Sequence, residues 1–298
     1  MREIRHCPIC AGTDRDLVYP GTLDTSNIVG ARTNPYCSHY QINRCRGCGL
    51  IFSSPIFEDA DIAALYEKAP HGNVESGEEG NVKSTMRLYY ELARPHLLQR
   101  DRLLDVGCDI GLMLEFARQD GFRELYGLEP NPIAREKAQA IPRAVVSERF
   151  YEEQEFPASS FDLITFIHVV DHLIDPSKAV ERAFMHAKPG GLVVAVVHNV
   201  ESMLARMTGE RFPPFNLYHH YFFSERTLAA LFESRGFETV SVGSTKNCYS
   251  LGFFARRAPG IPARLRFAIA SGLDRVGIGG LPLTIPVGNI GIVARRPS

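Results

Sequence analysis

From residue 102 onward the chain alternates short apolar runs with helix-periodic ones, over residues 102–106, 112–118, 125–128, 132–140, 161–167, 177–187 and 192–197. Strands linked through helices pair in parallel, because a parallel pair needs a crossover of a dozen or more residues. The pattern therefore predicts an α/β fold, a doubly wound sheet that binds its ligand at the carboxyl ends of its strands. Residues 237–242 read as a further strand after a helix over 224–235 that stops at Gly236, and residues 289–295 read as the last. The proline- and glycine-rich stretch between them makes residues 250–287 a lengthened hairpin insertion. Inside it Leu265, Ala268, Ile269, Leu273 and Val276 recur at helical spacing, a face expected to pack on its own domain, with lipid or another subunit as the alternative.

The first strand of the alternation runs into Asp105-Val106-Gly107-Cys108-Asp109-Ile110-Gly111 and then a helix. Glycines at a strand-to-helix turn let the backbone approach a ligand closely. A dinucleotide fold wants G-x-G-x-x-G, whereas here Asp109 stands at the middle position and Asp105 precedes the first glycine. Two carboxylates at that mouth repel a pyrophosphate and attract a cation, which disfavours a nicotinamide oxidoreductase. The next strand ends in Glu129-Pro130-Asn131-Pro132, 24 residues after Asp105, where a carboxylate can accept both ribose hydroxyls of an adenosine. Asn131 caps the following helix, with Pro132 at its first position. The turn and its acids together read as a nucleoside site.

The amino-terminal part carries different chemistry. Cys7-Pro8-Ile9-Cys10 and Cys45-Arg46-Gly47-Cys48 are two CxxC pairs, 34 residues apart, and four thiolates at that spacing suit structural tetrahedral zinc with no open position. Cys37 and His39 lie between the pairs as alternative ligands. Seven cysteines with no export signal point to reduced thiols and a cytoplasmic location. Lys plus Arg number 33 against 34 Asp plus Glu, so no global field recruits nucleic acid, and no apolar run is long enough to span a bilayer.

The chain resembles the class I S-adenosylmethionine-dependent methyltransferases whose members read DVGCG-x-G, a strand-end acid, FD-x-I-x-x-x-HVLEH and KPGG. Here these stand as DVGCDIG, GLEP, FDLITFIHVVDH from Phe161 and Lys188-Pro189-Gly190-Gly191. The resemblance implies a Rossmann-like seven-stranded sheet whose last strand enters antiparallel, and S-adenosylmethionine as cofactor. It implies that Asp105, Gly107 and Gly111 line the methionine portion, Glu129 holds the ribose, Phe150 flanks the adenine and Ile167 and His168 close the site, with Cys108, Asp109 (near the methionine amino group) and Pro130 also among the cofactor-binding residues. The cysteine-bearing segment ahead of such a domain resembles sugar and glycan-pathway methyltransferases. A sugar intermediate is thus the first expected acceptor and a lipid or quinone-like molecule the second. The competing reading is a non-catalytic binding protein whose turn Asp109 has spoiled; nucleic-acid methylation is disfavoured by the neutral charge.

Methyl transfer to a hydroxyl needs alignment and a base, and histidine suits the second task. His198, at the end of a strand, and His220 and Tyr221, in the aromatic segment that opens into a helix capped by Ser224, are the catalytic candidates; His219 is expected to be exposed. The expected organisation is a zinc-ribbon-like module over residues 1–66, a mobile loop and leading helix over 67–100, and the catalytic domain over 101–298, with a homodimer left open.

Overall fold

The computed structural model describes residues 1–23, 38–58, 60–62, 77–258 and 260–298; Cys37 and most of the expected loop lie outside them. In chain order the elements are strands β1 (Arg15–Tyr19), β2 (Ile42–Cys45) and β3 (Ile51–Ser53), then helix α1 (Glu79–Ala93). The alternating region follows as β4 (Arg102–Val106), α2 (Leu112–Gln119), β5 (Glu124–Leu128), α3 (Pro132–Gln139), β6 (Ala144–Ser147), β7 (Phe161–Ile167), α4 (Pro176–His186) and β8 (Ala187–His198). The chain ends with α5 (Met203–Thr208), β9 (Tyr221–Phe222), α6 (Glu225–Glu233), β10 (Glu238–Ser250), α7 (Leu251–Arg257), α8 (Ala263–Arg275) and β11 (Pro282–Arg295).

Seven strands form one sheet in the order β10-β11-β8-β7-β4-β5-β6. β11 runs antiparallel to both β10 and β8 while the other pairs are parallel, as the resemblance implies. The central strands alternate between two apolar layers. Ile164, Phe166, Val193 and Ala195 face one, and Leu163, Ile167, Leu192 and Val194 the other. Burial on both faces is why these strands read as continuous apolar runs rather than alternating ones. β6, a four-residue edge strand with Val145 exposed, has too little apolar pattern to stand out in the sequence.

Local signals set the helix starts. Asn131 accepts the N–H groups of Ile133 and Ala134 ahead of Pro132, and Ser224 and Thr227 close a reciprocal capping box at α6. Two motifs separated in sequence meet at the amino end of the sheet. Lys188 Nζ reaches Asp162 at 2.8 Å and Asp101 at 3.3 Å, while Asp162 Oδ2 accepts the N–H groups of Asp101 and Arg102.

The expected boundaries shift in three places. The amino-terminal segment forms a small sheet of order β1-β2-β3-β9, which takes its fourth strand from residues 221–222. Its Ile4, Cys7 and Leu50 share one apolar cluster with Val193 and Phe223. α1 starts at Glu79, inside the stretch expected to be a mobile loop, because buried Glu78 accepts the Ser250 hydroxyl and N–H and the Asn81 amide. β10 and β11 stay paired out to Ser250 and Pro282, so the insertion spans only residues 251–281. In α8 only Ala270 is buried and Leu273 half-buried, while Leu265 and Ile269, with Val276 just past the helix end, are exposed, so most of the expected inward face is left uncovered by the described residues. No helix among them is long and apolar enough to cross a membrane.

Asp162→Ala removes a buried acceptor of two backbone amides and an ammonium, and is expected to lower stability by roughly 2–3 kcal/mol in denaturant titration; an unchanged midpoint would assign the FD and KPGG motifs some other role.

Candidate active site

β4 leads through Gly107 (φ 69°), Cys108, Asp109 (φ 46°) and Gly111 (φ 84°) into α2. A Cβ on Gly107 would meet Val169 Cγ2 at 2.7 Å, and one on Gly111 would run into Ile141, so both positions need glycine for space as well as conformation. Asp109 takes the left-handed conformation that Asp tolerates better than most residues, and its N–H donates to Glu129 Oε2 at 2.9 Å. The turn therefore keeps its shape with aspartate in the glycine's place. Cys108 corrects one expectation: its thiol lies under Gly127, where an added Cβ would meet Sγ at 2.7 Å, so it lines the core rather than the crevice.

Glu129, at the carboxyl end of β5, accepts the N–H of Asn131 at 2.9 Å through its other oxygen. Asp105, fully enclosed at the end of β4, accepts the Thr165 hydroxyl at 2.6 Å. Burial pushes its carboxyl up to about 7; the charges of Glu129 and Asp109 add to this, and the Thr165 bond opposes it. Three carboxylates crowded in this way fit a ligand that brings positive charge. Pro130 follows Glu129, Ile167 is the buried last residue of β7, and half-buried Phe150 lies three residues past β6. The Ser147 carbonyl of β6 accepts the Glu129 N–H at 2.9 Å, which sets Phe150 at the same edge of the sheet.

The neighbouring strand ends, β7 and β8, carry a cluster of imidazoles around one carboxylate. His168 follows β7 with φ 55°, its N–H bonded to the Val196 carbonyl and its ring 4.8 Å from that of His198. Asp171 is 1% exposed. Its Oδ2 lies 3.2 Å from His198 Nδ1 and 3.7 Å from His219 Nε2, and its Oδ1 3.9 Å from His172 Nε2. Burial drives the imidazoles of His168, His172 and His219 below their usual range. Burial opposes charge on Asp171 as well, but the imidazoles around it outweigh that and hold the carboxyl below its usual range.

The expected catalytic residues divide. His198 stands in this cluster with its side chain 31% exposed. His220 is completely buried, its Nδ1 3.5 Å from the Leu173 carbonyl, and burial pushes it down to about 4. Tyr221 donates its phenol to the Ile174 carbonyl at 2.9 Å and pairs with Phe52 in the amino-terminal sheet. Both are corrected to structural residues: strand pairing at β9 turns them into the interior. His219, expected at the surface, is only 8% exposed and replaces them beside Asp171. The sequence signal for the cluster was the polar spacing of His168, Asp171 and His172 directly after an apolar strand.

The thiols of Cys7, Cys10, Cys45 and Cys48 converge within 4.8 Å of one another, a donor set that fits a tetrahedral thiolate ion. A Cβ on Gly47 would meet Cys10 Sγ at 3.1 Å, so glycine makes room for the sulfurs. His39 bonds the Tyr40 carbonyl at 2.7 Å and faces Glu210, outside this group. Arg226 of α6 donates to the Cys48 carbonyl at 2.7 Å, tying the knuckle to the catalytic sheet.

Residues 79–242 match a family described as a methyltransferase domain. A ubiquinone biosynthesis O-methyltransferase of Photorhabdus laumondii subsp. laumondii is 32% identical over 114 residues, 36% of this chain and 47% of that protein. The chain thus spans about half the length of the curated relatives it matches. Among solved structures, a chain of the complex formed by the Haloferax volcanii Trm112 methyltransferase activator superposes with a TM-score of 0.56 at 18% identity, over 74% of this chain and 92% of that one. A SAM-dependent methyltransferase from Archaeoglobus fulgidus superposes at 0.51 and 18% identity, over 74% and 97%. The family match covers more than half of the chain and the superpositions reproduce its sheet; the chain belongs to the methyltransferase-domain family, with the Rossmann-like fold of its S-adenosylmethionine-dependent members.

Proposed function

We propose that the protein transfers the methyl group of S-adenosylmethionine to a hydroxyl oxygen of a small, lipid-soluble aromatic acceptor of the quinone-precursor kind. The observation that carries this reading is an acidic crevice next to an imidazole tied to a buried carboxylate, both at the carboxyl ends of adjacent strands. S-adenosylmethionine, when bound, supplies a methyl group on a positively charged sulfur. Glu129 is the residue to hold the ribose and Asp105 the ammonium end, with Phe150 and Ile167 flanking. His198 donates Nδ1–H to Asp171, which leaves Nε2 to take the acceptor's hydroxyl proton. His168 closes the cofactor side.

Two observations support the acceptor class. Relatives named for ubiquinone biosynthesis favour a quinone-like molecule over the sugar first expected, for which neither the site nor the relatives offer support. The exposed Leu265, Phe267 and Ile269 of α8, close in sequence to Arg264 and Arg275, suit approach to a lipid-soluble compound. In the same reading the four-cysteine cluster holds structural zinc and takes no part in the chemistry.

Because Asp105 is pushed up to about 7 and a cation favours its ionised form, affinity for S-adenosylmethionine is expected to rise by roughly eightfold from pH 6 to 7.5 and then level off. The sign follows from protonation at low pH removing the charge that attracts the ligand. Calorimetry on wild type and Asp105→Asn tests this; a profile of the same slope in both would remove Asp105 from the site. His198→Gln is expected to cut kcat for a catechol-type acceptor by about 10²–10⁴ with S-adenosylmethionine affinity within about twofold. Retained kcat would overturn the assignment of His198.

A further inference from the structure

We propose that Asp171, His172 and His219 bind a divalent first-row transition-metal ion on the acceptor side of the crevice. The decisive geometry lies around His219. Asn216 donates its amide Nδ2 to the Pro213 carbonyl at 3.0 Å, which turns Oδ1 toward the Tyr218 N–H at 2.8 Å and His219 Nδ1 at 3.0 Å. Asn216 Oδ1 can only accept, so His219 carries its proton on Nδ1 and presents a bare lone pair at Nε2. That lone pair has no hydrogen-bond partner, and it faces the Asp171 carboxylate 3.7 Å away. Two electron-rich atoms opposed in a buried space call for a cation between them.

The other two donors lie beside it. His172 hydrogen-bonds the Tyr218 backbone, and its Nε2 lies 3.9 Å from Asp171 Oδ1. Asp171 Oδ1 is buried without a hydrogen-bond partner. The rings of His172 and His219 lie 4.1 Å apart, and the three ligand atoms fall within 4.8 Å of one another. The 3.7 and 3.9 Å spacings exceed hydrogen bonds and would close to about 3.4 Å around an ion held by two bonds of about 2.0–2.2 Å at a tetrahedral angle. A ring nitrogen fixed by an amide oxygen while the other faces the ion, as in His219, is the usual outer-shell arrangement of metal-binding histidines. Two imidazoles and one carboxylate fill three positions and leave others for exogenous oxygen donors. The thiolate cluster is a separate site with softer ligands, so the chain would hold two ions of different character. Ion binding stands apart from methyl transfer; its use there, to orient an acceptor oxygen beside His198, rests on the reading given above.

Cobalt(II) added to metal-free protein distinguishes the sites, because thiolate ligation gives intense charge-transfer absorption and nitrogen–oxygen ligation gives weak visible bands alone. Wild type is expected to show both spectra. Asp171→Asn and His219→Gln should lose the weak bands and keep the thiolate absorption, which also shows that they fold. Asn216→Ala, which removes the acceptor that fixes His219 together with the bonds to Pro213 and Tyr218 but no ligand atom, should weaken this site by about 10–100-fold. Absence of nitrogen–oxygen cobalt in wild type, or its persistence in both ligand variants, would overturn the proposal. S-adenosylhomocysteine titration of the same samples separates the failures. Cobalt without nucleoside binding overturns methyl transfer alone, and nucleoside binding without this cobalt spectrum overturns the metal site alone.

Discussion

Burial of β4, β7 and β8 on both faces is the constraint on which the rest of the structure depends. With apolar layers on either side, polar groups on these strands must find partners within the sheet plane or lie at its ends. At the amino end the solution is closed: Asp162 and Lys188 satisfy one another and two backbone amides. At the carboxyl end it stays open. Asp105 has a threonine hydroxyl and further carboxylates around it, and Asp171 has the imidazoles of His172, His198 and His219. One end of the sheet is thus electrostatically complete, and the other is arranged for something the chain does not itself provide.

The amino-terminal segment shapes that open end. β9 pairs with β3 through Tyr221 and Phe222, and the His220 and Tyr221 N–H groups bond the Asp171 carbonyl. The cysteine knuckles and Arg226 hold this sheet against α6. The position of His219 relative to Asp171 therefore follows from strand pairing with a segment more than 160 residues earlier in the chain.

That dependence explains what the sequence disclosed and what it concealed. The sheet, the Asn131 and Ser224 caps and the crevice acids were legible because each is encoded locally, by periodicity or a short motif, whereas the antiparallel last strand was implied by the family resemblance alone. Asp109 was ambiguous on paper, since only φ tells whether an aspartate has replaced a glycine's conformation or destroyed it. His220, Tyr221 and His219 were misread for one reason. Pairing of β9 with β3, a segment more than 160 residues earlier, covers all three consecutive residues, and no local signal records that pairing. Helix α8 showed its apolar stripe at the expected spacing, but spacing alone does not say whether a stripe has a partner within the same chain.

The central claim is that the acids at the ends of β4 and β5 form a site for an adenosine that carries a cationic tail. The most direct test is calorimetric titration of the full-length protein with S-adenosylmethionine and, separately, with NADH, in wild type and Glu129→Ala. The account predicts saturable, one-to-one binding of S-adenosylmethionine that is lost in the variant, with no binding of NADH. Failure of the folded wild-type protein to bind S-adenosylmethionine, or equal binding by Glu129→Ala, would contradict it and return the chain to the reading of a non-catalytic binding protein.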